Sequence, residues 1–215
     1  NQKHDAGFGE RASLFYSKGK LSIDGMYLHS HGRDYSWTDE TSHHSLDNGS
    51  VHDIISNEKS HNSDYGHKFR FGLDYRFADN NTLSVIYNGE YNHQHGAQDM
   101  SGSILGQTDI IGHHWLHNLR MDYNAPFGMK LGAEMTYYHN PENQFLNSSL
   151  PTGKLSYNVD NNQKVNRWKF FLSQEHHLGK DWNLNYGVIY TTSINSSSQF
   201  YVDANSTSGE EPTNS

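Results

Sequence analysis

Between Lys68 and Asn92 the chain reads KFRFGLDYRFADNNTLSVIYNGEYN, and apolar and polar residues alternate. Phe69, Phe71, Leu73, Tyr75 and Phe77 fall on one side; Lys68, Arg70, Asp74 and Arg76 fall on the other. After Ala78-Asp79-Asn80-Asn81 the pattern resumes, with Leu83, Val85, Tyr87 and Tyr91 against Ser84, Asn88, Glu90 and Asn92. A period of two in aromatic and β-branched residues predicts strands, and the Asp-Asn-Asn run predicts the turn between them.

Three more pairs follow the same rule. GERASLFYS (Gly9–Ser17) aligns Ala12, Leu14 and Tyr16, and LSIDGMYLH returns with Leu21, Ile23, Gly25 and Tyr27. WLHNLRMDYN aligns Trp115, Leu119, Met121 and Tyr123, turns at Ala125-Pro126-Phe127-Gly128, and returns with Met129, Leu131, Ala133, Met135 and Tyr137. NRWKFFLSQEHHL aligns Trp168, Phe170 and Leu172, turns at Gly179-Lys180-Asp181, and returns with Trp182, Leu184, Tyr186, Val188 and Tyr190. No stretch carries a helical period. The expected fold is all-β: about eight antiparallel strands in an up-and-down order, each about 11–14 residues long, where strands of soluble proteins cluster near 5–6.

The connections are unequal. Turns within pairs are short, whereas Asp39–Ser63, Gly96–Ile111 and Asn140–Gln163 read as polar loops of roughly 15–25 residues, beyond the usual loop length. Short turns at one end and long loops at the other are the arrangement of an outer-membrane β-barrel, with the turns periplasmic and the loops extracellular. Aromatic residues at the strand ends fit the same reading. Tyr75, Phe77, Tyr123, Phe127 and Trp182 lie near the short turns, and Tyr65, Tyr91, Tyr137, Trp168 and Tyr190 toward the long connections. Two aromatic belts flanking an apolar band are expected where rings meet lipid headgroups.

Composition explains why this pattern escapes a hydropathy average. Only 33% of the 215 residues are hydrophobic, but 13% are aromatic. No run approaches the ~18 apolar residues of a membrane helix, which leaves membrane strands open. The net charge of −8 and the lack of a basic run argue against nucleic acid as a partner. With no cysteine, disulfides play no part. On the barrel reading, lipid covers the apolar face, with Phe69, Phe71, Leu73, Leu83, Val85, Leu131 and Leu184 outward. The interior is lined by Lys68, Arg70, Asp74, Arg76, Glu90, Arg120, Asp122, Lys130, Glu134, Arg167, Lys169 and Glu175.

The segments GLDYRFADNNTLSVIYNGEYN, LHNLRMDYNAPFGMKLGAEMTYYHN and RWKFFLSQEHHLGKDWNLNYGVIY resemble the barrel portion of the TonB-dependent-receptor-like outer-membrane β-barrel family common in Bacteroidetes. The likeness covers about Lys68 to Tyr190 and includes a Tyr186-Gly187-Val188-Ile189-Tyr190 strand after a Leu-Gly-Lys turn. It implies an importing receptor of about 22 strands around a plug, set in the outer membrane of a Gram-negative bacterium. Such a receptor is energised by a periplasmic coupling protein and takes up a siderophore, cofactor or glycan. The chain departs from that pattern in having too few strands, no plug domain and no TonB-box segment. It opens at Asn1 without an initiator Met or signal peptide and does not finish on an aromatic residue. Residues 1–215 therefore read as one partial barrel domain. Its edge strands (about Gly9–Ser17 and Trp182–Ile194) are expected to pair outside the chain rather than with each other. Two other functions stay open: a non-transporting surface barrel for adhesion or scaffolding, and a secreted soluble β-protein that binds carbohydrate.

Candidate chemistry is sparse. Sixteen histidines are present. His29 with His31, and His93 with His95, are spaced to share a strand face and are the candidates for a metal, but no spacing fixes a coordination geometry. Asp122/Glu134 and Asp74/Glu90 are candidate carboxylate pairs on facing strands, read more simply as ion-paired wall. The Asn158–Gln163 run lacks the spacing of a calcium loop. No catalytic set stands out, so no enzyme and no cofactor are expected.

Overall fold

The alternating segments all form strands, and the strands run much further than the alternation does. In the computed structural model, which describes residues 2–45, 51–103, 105–150, 153–178 and 181–203, the chain forms one antiparallel sheet. Its strands are β1 (Gln2–Lys18), β2 (Leu21–Ser45), β3 (Val51–Ala78), β4 (Asn81–Gly102), β5 (Leu105–Asn124), β6 (Met129–Leu150), β7 (Gly153–Leu178) and β8 (Trp182–Asp203). They lie in chain order, each paired only with its sequence neighbours. The expected all-β, up-and-down, eight-stranded architecture is the one observed. Among the described residues no pairing joins β1 to β8, so the sheet has two free edges.

The polar connections are corrected. Asp39–Ser63, Gly96–Ile111 and Asn140–Gln163 are not long loops. Their described residues are almost all strand, paired residue for residue, as in Ser45↔Val51, Met100↔Gly106 and Leu150↔Gly153. Strands accordingly reach 17 to 28 residues. The reason is physical: alternation reveals a strand only where one face is apolar, and these stretches are polar on both faces. Backbone pairing needs no such contrast.

Turn chemistry fixes the other end. Lys18 pairs with Leu21, leaving Gly19-Lys20 as a two-residue loop, and Gly19 alone takes positive φ, at 61°. That is the type II′ geometry whose twist matches a hairpin. Asp79-Asn80 also makes a two-residue loop, but neither residue has positive φ. A turn of that kind splays its strands, and a register shift between Arg76 and Ala78 absorbs the mismatch. Ala125–Gly128 closes with Gly128 at φ 82°, held by Ala125 N–H donating to the Met129 carbonyl at 2.8 Å. Gly179 and Lys180 of the last expected turn lie outside the described residues.

Neighbouring strands also hold these turns. Arg76 N–H donates to the Lys20 carbonyl at 2.8 Å, and Glu175 N–H donates to the Gly128 carbonyl at 3.1 Å. Lys20 Nζ reaches the Phe77 carbonyl at 2.6 Å, and Gln174 Nε2 the Phe127 carbonyl at 2.7 Å.

Among the described residues no layer packs on the sheet. Among the described hydrophobic residues only Ala125 and Val159 are buried. Gly128→Val places a branched side chain at a positive φ, with its Cβ 2.6 Å from the Glu175 carbonyl oxygen. It is expected to lower the unfolding free energy by about 1–3 kcal/mol, read from urea denaturation. Gly7→Ala, whose Cβ meets open space, should stay within about 0.5 kcal/mol.

Candidate functional site

The register sorts side chains into rows that cross the whole sheet. Tyr16, Ile23, Leu73, Val85, Met121, Ala133, Phe170 and Tyr190 form one unbroken row. The row nearer the turns holds Leu21, Tyr75, Leu83, Tyr123, Leu131, Leu172 and Val188. The next row away from the turns holds Leu14, Phe71, Tyr87, Leu119, Met135 and Trp168. Every apolar residue predicted to share a face, Leu184 included, lies on this one. Nothing covers it: Phe71 and Phe170 are each 44% exposed and Leu119 40%.

This apolar zone is a band, not a whole face. On β5 it runs from Tyr123 to Trp115, about 9 residues or roughly 30 Å of strand at ~3.4 Å per residue. At the turn end Phe77 packs edge-on against Tyr75 and Tyr123, with centroids 4.7 and 6.4 Å apart. At the other end Tyr91 lies 4.2 Å from Trp115 and 6.1 Å from Tyr65. Trp168 and Tyr190, expected at the far end, instead stand inside the band, beside Met135 and Phe170.

Beyond the band the same face turns to histidine. His29 pairs with His67, and their rings stack at 4.7 Å. His31 pairs with Tyr65, which in turn pairs with His93, and His93 pairs with His113. His117 and His139 continue the zone on β5 and β6, flanking Tyr137 on β6. His95 Nε2 lies 3.7 Å from Asp109. The four candidates His29, His31, His93 and His95 thus share a face but are spread over two separated strands. Among the described residues no group of three or more His, Asp or Glu is placed to hold a metal ion.

Behind the band, the opposite face carries the charges. Arg70 Nε reaches Asp24 at 3.0 Å, Lys68 Nζ reaches Glu90 at 3.2 Å, and Arg120 grips Asp122 through two nitrogens at 2.6 and 3.2 Å. His114 Nε2 is 3.7 Å from the same Glu90 oxygen that takes Lys68. The Arg120 guanidinium also lies 6.0 Å over Phe171, the one aromatic ring in this part of the polar face on β7. The carboxylate pairs do not form. Asp122 pairs with Gly132, and Glu134 sits opposite Arg120, so a guanidinium separates the two acids. Asp74 accepts from Ser84 at 2.5 Å, three rows from Glu90 on the same face. Asp24, the partner of Arg70, was not singled out from the sequence, although alternation puts it on the face opposite Ile23 and Gly25; its partner became evident only from the register.

The Asn158–Gln163 run is β7 strand. His139 Nε2 donates to Asn162 at 3.0 Å, and Asn143 donates to Asp160. The ladder between β5 and β6 lapses at His113-His114, opposite Asn140-Pro141, and resumes in the same register. Proline has no N–H to give a ladder. Searches against protein-family models, curated proteins and solved structures found no match to this chain.

The Arg70–Asp24 pair is half-exposed, so a double-mutant cycle with Arg70→Ala and Asp24→Ala is expected to give a coupling below about 1 kcal/mol in denaturant unfolding. A coupling of about 3 kcal/mol or more would mark a buried pair.

Proposed function

We propose that the chain is a stretch of wall from an outer-membrane β-barrel, its apolar band in lipid and its charged face toward a watery lumen. One observation carries this: an uncovered apolar face limited to a band about 9 residues long, roughly 30 Å along β5, and ending in aromatic residues on both sides; strands of that length, tilted as barrel strands are, would span an apolar band of ~25 Å. A soluble sheet would need a second layer over these residues, and none packs on the described strands. The two free edges support an arc of a wider barrel, because hydrocarbon leaves no backbone group unpaired.

The strand-turn-strand segments further support a substrate-importing receptor of the TonB-dependent type, taking up a siderophore, cofactor or glycan. The strands beyond the band favour a second reading. β3 runs from Val51 to Gly66 outside it, roughly 53 Å of strand at ~3.3 Å per residue, and its sequence there is mostly polar. Such a rim suits a surface barrel for adhesion or scaffolding.

Val85→Arg puts a charge at mid-band and is expected to cost about 2–4 kcal/mol of membrane-inserted stability. Ser84→Arg, one residue away on the charged face beside Asp74, should be tolerated. Equal effects in folding assays with lipid vesicles would overturn the membrane reading. The importer and surface readings part on the full-length protein in proteoliposomes. Saturable co-sedimentation of the periplasmic energy-coupling domain supports import, and its absence supports the surface barrel.

A further inference from the structure

The histidines beyond the apolar band are concentrated where no packing requirement puts them. His29 and His67 stand in the row of Tyr91 and Trp115 that ends the band, and His31 and His93 stand one row beyond it. His139 shares the row of His29 and His67, His113 that of His31 and His93, His95 stands one row farther out, and His117 one row nearer the turns, at the margin of the band. Half of the sixteen histidines of the chain thus lie in one belt. Tyr65, Tyr91 and Trp115 are interleaved with them. In the membrane reading, on which this inference rests, the belt stands at the level of the lipid headgroups.

Fixed charges there nearly cancel. Arg33 and Lys164 are the cations on that face near the belt; Glu10, Asp109 and Asp160 are the anions. The ring nitrogens are also ordered. Tyr27 Oη lies 2.7 Å from His67 Nδ1, and Tyr87 Oη lies 2.8 Å from His117 Nδ1. His29 Nδ1 donates to the Gly66 carbonyl at 3.2 Å, so its proton sits on Nδ1. The neutral His29 ring therefore offers an Nε2 lone pair, which a phosphate oxygen repels. Protonation turns that Nε2 into a donor and adds a positive charge.

We propose that this belt is a protonation-gated contact for anionic lipid phosphates: indifferent to headgroup charge when the imidazoles are neutral, selective for anionic lipid when they are charged. Tyr and Trp supply the neutral anchoring, and histidine adds a charge that follows pH. A metal site does not explain the cluster, since its histidines lie along rows rather than around a point.

The chain carries its own reporters. Trp115 lies in the belt, its ring 6.0 Å from His117 and parallel to it. Trp182 stands at the turn end, 76% exposed, beyond the opposite edge of the band. Full-length protein retaining only Trp115, or only Trp182, among the four tryptophans is inserted into vesicles of phosphatidylcholine with phosphatidylglycerol, one or the other brominated. Quenching gives the relative affinity of each site for the two lipids.

The Trp115 site is expected to prefer the anionic lipid roughly five-fold at about pH 5.5, as one cation near a charged surface does, and to show little preference at about pH 8. The Trp182 site should show little change. Replacing His29, His67, His113 and His117 with Gln should abolish the pH dependence at Trp115 while quenching persists. An unchanged preference across pH, or the same pH response at Trp182, overturns the proposal and leaves the membrane reading standing. If neither brominated lipid quenches Trp115, both fall.

Discussion

Every row of side chains in this protein depends on one registration carried through seven ladders. The row from Tyr16 to Tyr190 exists because each strand meets the next without a slip across the band. A shift by one residue in any ladder would turn that strand's apolar set to the charged face. With no layer above or below, no core corrects such an error. The hairpin turns do that work instead. Gly19 and Gly128 hold positive φ, the Arg76–Ala78 shift lets an unprimed turn serve, and neighbouring strands grip both glycine-containing turns through backbone hydrogen bonds.

The sheet divides into two regimes with different sources of cohesion. In the band, cross-strand apolar and aromatic pairs such as Phe71–Tyr87 and Leu119–Met135 stand on one face, while ion pairs tie the other. Beyond it, cohesion comes from the ladder and from polar or ring contacts, such as Tyr35 stacked on His61 at 4.3 Å and His139 bonded to Asn162. The charged face near the band follows the logic of a wet wall. Each observed pair is half-exposed and modest alone, but the pairs leave Arg70, Lys68 and Arg120 answered within the sheet.

What could be read from the sequence was whatever alternation encodes. Phe69 to Phe77 and Leu83 to Tyr91 announced strand, face and turn together. The polar continuations did not. Ser56 to Asn62 and Asn158 to Gln163 carry no contrast between faces, so a period of two has nothing to modulate. The side-chain partners were also hidden. Alternation puts Asp24 opposite the face of Ile23 and Gly25, but only the register sets it against β3 and brings Arg70 within reach. Histidine spacing showed that His29 and His31 share a face. It did not show that residues from β2 to β6, far apart in the chain, gather in neighbouring rows of one face. That is a property of register, and register belongs to pairs of strands.

The up-and-down order has a consequence for how such a sheet is made. Every ladder joins consecutive strands, so each step closes only the short loop between neighbours, and no early strand waits for a distant partner. Growth can proceed strand by strand like a zip, and at every stage the nascent sheet presents a single new edge. The β1–β2 hairpin, whose two-residue turn matches the strand twist without a register shift, is a natural place for pairing to start. The lapse opposite Pro141 is the point along β5 and β6 where the zip must jump a tooth before it resumes in step.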